Sequence, residues 1–411
     1  MLQYRHKDFH IVIFLILFEI GFGITINLIG TISISELIAF LYTIFFISKS
    51  DISKNQDLKH ILLLYSLLII FQAISEILVG NSTSNALKGI SIPIISFCHT
   101  FILVKFFNKN PYFITWALIG IIIRIIIFPS AVEGNTTDAL TGEDAAFLKF
   151  VIAPLLINIL LVYSIVKNKK NNYILFIGLG IALVILGARS SGVMIFLTGL
   201  IAFFINSRKH ISSRKLKQYT ILILLISYSS YCIYANMVLS GDIKSGNSTQ
   251  LKNVENPYNP INLLRMGRTE TFIGAIAFLD KPLTGWGAWA IDPNAKYHIM
   301  ASKLTDKAII LNNSKYYIPS HSIIIGTGMQ NGIMPLFIIL CILFFYLKKG
   351  VYCIRNENKY KMIIILFTIM IFWHMLFSPI TQLRLMLPLY MAFILTVAQK
   401  IRIHNYSINK T

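Results

Sequence analysis

Charged side chains are scarce in this sequence. Only 13% of the 411 residues are Asp, Glu, Lys or Arg, while 55% are hydrophobic. A soluble domain of this length carries about a quarter charged residues. Apolar runs of roughly 18 residues recur along the chain, which is about the length that an α-helix needs to cross a bilayer. The composition therefore excludes an ordinary soluble protein and predicts a chain that crosses a membrane many times.

Cysteine is scarce too, and several common catalytic motifs are absent. None of the four cysteines falls in the long polar stretch 240–321, which argues against a disulfide framework there. No D-x-D pair in the predicted outer loops offers ligands for a metal ion. No P-loop, G-x-S-x-G or H-E-x-x-H motif occurs either. The sequence therefore favours chemistry without a metal ion or another cofactor.

Acidic residues are outnumbered, and the formal net charge is +20. In membrane proteins, Lys and Arg collect in cytoplasmic loops, so this charge does not indicate binding to nucleic acid. Helix is the expected structure of the apolar segments, because backbone exposed to lipid must satisfy its own hydrogen bonds. The prediction is an all-α polytopic membrane protein whose first span is not cleaved. Its twelve spans are 11–29, 32–48, 61–79, 88–107, 112–128, 148–166, 173–188, 191–206, 219–238, 322–347, 362–379 and 383–399.

The distribution of basic residues predicts the orientation of these spans. With the N-terminus inside, seven inner segments hold 23 of the 37 Lys and Arg residues. Both termini are then cytoplasmic, and the polar loop at 240–321 faces outward. The chain divides into a nine-span bundle at 1–239, one large outer loop containing short helices at 240–321, and three further spans at 322–411. The inner segments are 1–10, 49–60, 105–111, 167–172, 207–218, 348–361 and 400–411.

Basic side chains also gather on the predicted outer side, which the positive-inside rule disfavours. Some other interaction must offset this placement, and an anionic ligand is one such interaction. Within the loop, apolar residues at helical spacing predict a short helix over Thr269–Leu279 that Pro282 ends. The outer residues are Arg124, Arg189 and Arg384 at the ends of spans, Arg265 and Arg268 in the loop, and His321 where the chain re-enters the membrane.

Each principal residue has a structural and a functional interpretation. Arg189 either reaches lipid phosphates or serves as a fixed cation for an anionic substrate. Arg268 either pairs with Glu270 or binds a diphosphate through two parallel hydrogen bonds. His321 either stands at the start of a helix or acts as a general base. Glu270 and Asp292 are weaker candidates for the base.

Three motifs in this order resemble the O-antigen ligase/polymerase superfamily of bacterial surface-polysaccharide enzymes. They are A-R-S-S-G after a span, G-R-T-E-T-F with D-K-P-L-T-G-W-G in the long loop, and H-S-I-I-I-G-T-G at the re-entry. Members of that family have about a dozen spans and one large periplasmic loop. The resemblance covers residues 180–345 in detail and the whole chain in topology.

The resemblance implies glycosyl transfer at the periplasmic face of the bacterial inner membrane. The donor would be an undecaprenyl-diphosphate-linked glycan, and the acceptor another glycan or lipid A–core. Arg189 and Arg268 would hold the diphosphate and His321 would assist the acceptor hydroxyl. Arg124, Arg265, Arg384 and Glu270 would support them. Membrane lipids and other polysaccharide-assembly proteins are the remaining expected partners.

Three functions remain open at this point. A polymerase joins lipid-linked repeat units of O-antigen or capsule, whereas a ligase moves the glycan to lipid A–core or to protein. The sequence favours a polymerase, because Ser322 stands where the ligase-like His-Asn pattern has Asn. A transporter of a lipid-linked anionic glycan is the third function. Against it stand the lack of an internal repeat and the few charges at span midpoints, such as Glu19, Glu76 and His374.

Overall fold

The protein is almost entirely α-helical. The computed structural model describes residues 8–28, 30–48, 55–129, 147–167, 169–205, 213–242, 256–259, 261–262, 267–305, 316–356 and 358–408. Within these residues, the first ten α-helices are α1 Phe9–Ile20, α2 Ile34–Phe46, α3 Gln56–Val79, α4 Thr83–Lys109, α5 Ile114–Ile127, α6 Ala153–Lys167, α7 Tyr173–Ile185, α8 Arg189–Ile205, α9 Ser213–Ser240 and α10 Thr269–Asp280. Six follow it: α11 Lys296–Thr305, α12 Ile323–Asn331, α13 Ile333–Arg355, α14 Lys361–Phe377, α15 Gln382–Leu385 and α16 Leu387–Ile408.

Each of the twelve predicted spans coincides with at least one helix, so the predicted helical architecture is confirmed. Among the described residues, five helical segments are both long and apolar enough to cross a bilayer: Gln56–Val79, Thr83–Lys109, Leu148–Lys167, Ile221–Ser240 and Ile333–Arg355. Six apolar helical segments are shorter: Phe9–Gly23, Ile34–Phe46, Pro111–Ile127, Tyr173–Ile185, Arg189–Ile205 and Lys361–Phe377. The number of crossings and their orientation stay predictions.

Two predicted spans had wrong boundaries, because a small hairpin lies between the first two helices. Strand β1 (Thr25–Asn27) pairs antiparallel with β2 (Thr31–Ser33). Ser33 then starts α2 with a capping box: its hydroxyl accepts a hydrogen bond from Glu36 N, and its own N–H donates to the Glu36 carboxylate. The sequence did not indicate this hairpin, because the apolar residues around Ile26 continue the hydrophobic run.

The predicted span at 322–347 is two helices, because Gly332 interrupts it. Gly332 has φ +82°, and a Cβ at this position would lie 2.0 Å from the carbonyl oxygen of Leu283. The next residue, Ile333, donates its N–H to the carbonyl of Pro282 at 2.8 Å. The break therefore lets the outer loop reach the backbone between α12 and α13, which a side chain would prevent.

Most of the bundle shares one hydrophobic core centred on α4 and α16. Helix α4 is buried along most of its length and packs against α2, α3 and α16. Helices α7 and α8 form a closely packed hairpin, because Gly180 and Gly192 leave room for the opposing backbone. Small residues at helix contacts are typical of packing in membranes.

The long loop contains a small core of its own. The predicted helix over Thr269–Leu279 is present as α10, which packs against α11 and α12. Its apolar face supplies Ile273 and Ala277, which are buried with Tyr297 of α11 and Met329 of α12. The loop is therefore attached to the bundle through α12.

A buried carboxylate, Glu76, joins the loop to the bundle at the end of α3. One of its oxygens accepts hydrogen bonds from Ala288 N and Asn331 Nδ2, both at 2.8 Å. The other accepts a hydrogen bond from Asn81 Nδ2 at 2.6 Å. These three donors come from the loop, the end of α12 and the α3–α4 turn, so one side chain fixes all three segments. The preceding residue, Ser75, donates its hydroxyl to the carbonyl of Thr284.

We expect Glu76→Gln to destabilise the protein by about 1–3 kcal/mol. The amide cannot accept all three hydrogen bonds and leaves a buried donor unpaired. The measurement is the unfolding temperature of the detergent-solubilised protein. Ser75→Ala is the matched control, because it removes one hydrogen bond to the same loop and should cost less. An unchanged unfolding temperature in Glu76→Gln would contradict this account.

Candidate functional site

The site is centred on a histidine–carboxylate pair where the loop meets the bundle. His321 Nδ1 lies 2.5 Å from Glu270 Oε2, and the two side chains are 40% and 50% exposed. Glu270 lies in the first turn of α10, and His321 immediately precedes the cap of α12. The two residues are 51 positions apart in sequence, so the pair exists only because α10 packs against α12.

The backbone of His321 is held from two sides. Thr271 donates its hydroxyl to the carbonyl of His321 at 3.2 Å. The cap of α12 is Ser322, whose hydroxyl accepts a hydrogen bond from Ile325 N at 3.1 Å and donates to the carbonyl of Met375 at 3.3 Å. Ser322 therefore caps α12. The structural interpretation gave His321 this place at the start of the helix, but its imidazole pairs with Glu270 instead.

Glu270 is held in its ionised form. The hydrogen bond from His321 lowers the pKa of the Glu270 carboxyl below its ordinary value, and the positive charge of nearby Arg268 acts in the same direction. Partial burial opposes these effects without cancelling them. An ionised carboxylate on Nδ1 holds the ring in the tautomer whose Nε2 can accept a proton.

Arg268 lies beside this pair. It immediately precedes α10, and its guanidinium carbon is 5.9 Å from the centre of the Trp373 ring near the end of α14. The guanidinium is also an electrostatic neighbour of His374, whose Nδ1 is 2.8 Å from Ser378 Oγ. The structure thus brings Arg268, Glu270 and His321 together and adds Trp373 and His374, which sequence reasoning did not assign to the site. An aromatic–histidine pair near the end of an apolar run is the signal that points to them.

Arg189 is the first residue of α8 and follows Gly187, whose φ is +104°. Its guanidinium carbon lies 5.4 Å from the centre of the Tyr234 ring of α9. On the same helix, Tyr231 donates its hydroxyl to the carbonyl of Pro257 in the long loop. Arg189 therefore lies toward the end of α9 from which the long loop leaves the bundle. Joint binding of one diphosphate by Arg189 and Arg268 stays a prediction.

Two of the supporting arginines have carboxylate partners within the bundle. Arg124 Nη1 is 3.7 Å from Glu19 Oε2, and both side chains are buried. Arg384 Nη1 is 2.9 Å from Glu36 Oε1, and its Nη2 donates to the carbonyl of Thr31 at 3.0 Å. These contacts join α5 to α1 and α15 to the hairpin and α2. A part in substrate binding stays a prediction for both, and Arg265 lies outside the described residues.

A second histidine–carboxylate pair in the loop has a different environment. His298 Nδ1 is 2.7 Å from Asp292 Oδ2, but the Asp292 side chain is fully buried. Its carboxylate also accepts hydrogen bonds from the backbone N–H groups of Tyr297 and His298 at the start of α11. Asp292 thus binds a helix N-terminus, which gives it a structural role. The alternative base therefore has its hydrogen-bonding capacity occupied by the loop itself.

No protein-family model matches the sequence, and no curated protein matches it. Among the described residues, no group of three or more His, Cys, Asp or Glu side chains is arranged to hold a metal ion. A functional assignment therefore depends on the geometry around Arg268, Glu270 and His321.

Proposed function

We propose that this protein is a membrane glycosyltransferase that uses no metal ion. It transfers an oligosaccharide from undecaprenyl diphosphate to a hydroxyl group of another glycan, and so polymerises repeat units of O-antigen or capsule. The observation that carries the proposal is the His321–Glu270 pair at 2.5 Å with Arg268 beside it. This arrangement places a proton acceptor next to a fixed cation on a partly exposed rim, which is what such a transfer requires.

The proposal includes an orientation. The chain crosses the bacterial inner membrane twelve times with both termini in the cytoplasm, and the loop that carries the site faces the periplasm. The concentration of Lys and Arg in the segments expected inside supports this orientation. The donor is delivered within the membrane, and its acceptor arrives from the periplasm together with other polysaccharide-assembly proteins.

His321 acts as the general base. The acceptor hydroxyl gives its proton to Nε2 while its oxygen forms the new glycosidic bond, and Glu270 on Nδ1 stabilises the imidazolium that results. Glu270 therefore acts through the ring and need not touch the sugar. The short connection from His321 to the cap of α12 keeps the base still while a flexible glycan approaches.

Arg268 stabilises the leaving group. As the bond between the sugar and the diphosphate breaks, its electron pair stays on the diphosphate, and a guanidinium can bind the growing negative charge through two parallel hydrogen bonds. Arg189, at the loop-bearing end of α9, is the second cation that we assign to the diphosphate. The Trp373 ring against Arg268 limits the orientations of its guanidinium.

The same chemistry would serve a ligase, since only the acceptor differs. Ser322 caps α12 and bonds to the carbonyl of Met375, so the residue after His321 is occupied in holding the fold. An asparagine in that position, as in the ligase-like pattern, is not part of this site. We therefore assign the acceptor as a second lipid-linked glycan and keep transfer to lipid A–core or to protein as the alternative.

We expect His321→Asn to lower the rate of chain growth by roughly 10²–10⁴, the usual contribution of a positioned general base. Binding of the lipid-linked donor should be retained, because Arg268 and Arg189 are unchanged. The measurement is glycan length and donor retention with purified protein in a reconstituted membrane. His298→Asn is the matched control, because it alters a histidine–carboxylate pair in the same loop and should leave chain growth near normal.

The result that would remove His321 from the chemistry is near-normal chain growth in His321→Asn. Glu270→Gln gives a second readout, because it removes the carboxylate but keeps the ring. We expect it to slow chain growth without loss of donor binding. Loss of donor binding in either variant would instead show that the pair holds the loop in place.

We expect Arg268→Ala to lower the rate by about 10²–10³, as removal of one preorganised charge-stabilising donor does, and to weaken donor binding. Arg268→Lys should recover only part of both, because a point charge cannot make two parallel hydrogen bonds. Lys281→Ala is the control: Lys281 is a loop cation 4.0 Å from the Trp286 ring and is not part of the site. Equal activity in Arg268→Ala and Lys281→Ala would exclude Arg268 from diphosphate binding.

A further inference from the structure

A groove runs along the outer surface of α13 near its C-terminal end. It has a volume of about 600 Å³, which is within the range of small-molecule sites. The helix presents one continuous face there, since the lining residues recur every three or four positions. They are Phe344, Leu347, Lys348, Val351, Tyr352, Arg355 and Asn356.

The groove combines two cations with an apolar floor. Lys348 and Arg355 are seven residues apart, which is about 10 Å along a helix. Phe344, Leu347 and Val351 supply apolar surface between and beside them, and Phe344 is 66% exposed. Among the residues that the structure describes, no acidic side chain lines the groove. Its chemistry therefore suits a ligand with a negative head and a hydrocarbon tail.

The opposite side of α13 contacts the rest of the bundle, and these contacts fix the orientation of the groove. Lys349 Nζ lies 2.6 Å from Asp57 Oδ1, and Arg402 Nη2 lies 2.9 Å from Asp57 Oδ2. Asp57 is buried in the first turn of α3, so these contacts join α13, α3 and α16. Gly350 packs closely on Thr368 of α14. With Lys349 and Gly350 turned inward, Lys348 and Val351 must face outward.

The groove lies at the end of the bundle opposite the long loop. Helix α12 begins at the loop, and α13 leads away from it to Arg355. Basic side chains near the end of an apolar helix lie at the depth of lipid phosphates. This end therefore offers both the charge and the apolar surface that a lipid would meet.

We propose that this groove binds one anionic phospholipid. The phosphate lies between Lys348 and Arg355, and an acyl chain lies along Phe344, Leu347 and Val351. A soluble anion would not use the apolar floor, and a zwitterionic lipid brings no net negative charge to two cations. The binding does not depend on the proposed glycosyl transfer, because the groove and the His321–Glu270 pair are at opposite ends of the bundle.

The test is native mass spectrometry of the delipidated, detergent-solubilised protein titrated with phosphatidylglycerol. We expect one tightly bound phosphatidylglycerol and much weaker binding of phosphatidylcholine. The double variant Lys348→Gln, Arg355→Gln should bind phosphatidylglycerol roughly thirtyfold more weakly, from the usual contribution of each basic residue near a lipid surface. Val351→Trp keeps both cations but fills the groove, and it should weaken binding as well.

The matched control is the double variant Lys59→Gln, Lys400→Gln. Both residues are exposed and lie outside the groove, near the same end of the bundle, so the change of net charge is identical. This variant should bind phosphatidylglycerol as the unchanged protein does. Equal affinity for phosphatidylcholine, an equal loss in the control, or unchanged binding in Val351→Trp would overturn the proposal. Displacement of phosphatidylglycerol by an equal amount of polyprenyl phosphate would overturn the assignment to phospholipid.

Discussion

The buried carboxylate of Glu76 is the contact on which the arrangement of the loop depends. A buried carboxyl group must be matched by hydrogen-bond donors, and those of Glu76 are Asn81, Ala288 and Asn331. These donors belong to three separate segments, so the side chain can be satisfied only when the loop, the α3–α4 turn and the end of α12 come together. Gly332, with its positive φ, lets the loop backbone approach closely enough. The position of α10 against α12 follows from this junction.

A second buried carboxylate, that of Asp57, joins separate segments at the opposite end of α3. Asp57 lies in the first turn of α3 and binds Lys349 and Arg402, whereas Glu76 lies in its last turn. Helix α3 therefore holds α13 and α16 at one end and the loop at the other. The His321–Glu270 pair lies on the rim of this framework, half-exposed but attached to rigid elements. That combination suits a base that must meet a large, flexible acceptor without moving itself.

The sequence predicted the helices well, but it predicted the contacts between side chains of different helices poorly. Each predicted hydrophobic run coincides with at least one helix, because an apolar helix needs little beyond length. The hydrophobic runs missed the break at Gly332, since the apolar run continues through it and only the approach of the loop explains it. The loop motifs and the basic residues on the predicted outer side pointed to Arg268, Glu270 and His321. The pairing of His321 with Glu270, however, depends on packing between α10 and α12. Burial of Arg124 beside a carboxylate was hidden for the same reason, because a linear pattern does not show which helix faces meet.

Glycosyl transfer by this protein can be followed with purified protein in proteoliposomes that contain a lipid-diphosphate-linked oligosaccharide. Glycan length, released lipid diphosphate and movement of the oligosaccharide across the bilayer are followed together in the presence of a metal chelator. We expect longer lipid-linked chains, with one lipid diphosphate released for each new linkage and no need for a metal ion. Movement of the oligosaccharide across the membrane without any lengthening would contradict this expectation and would identify a transporter.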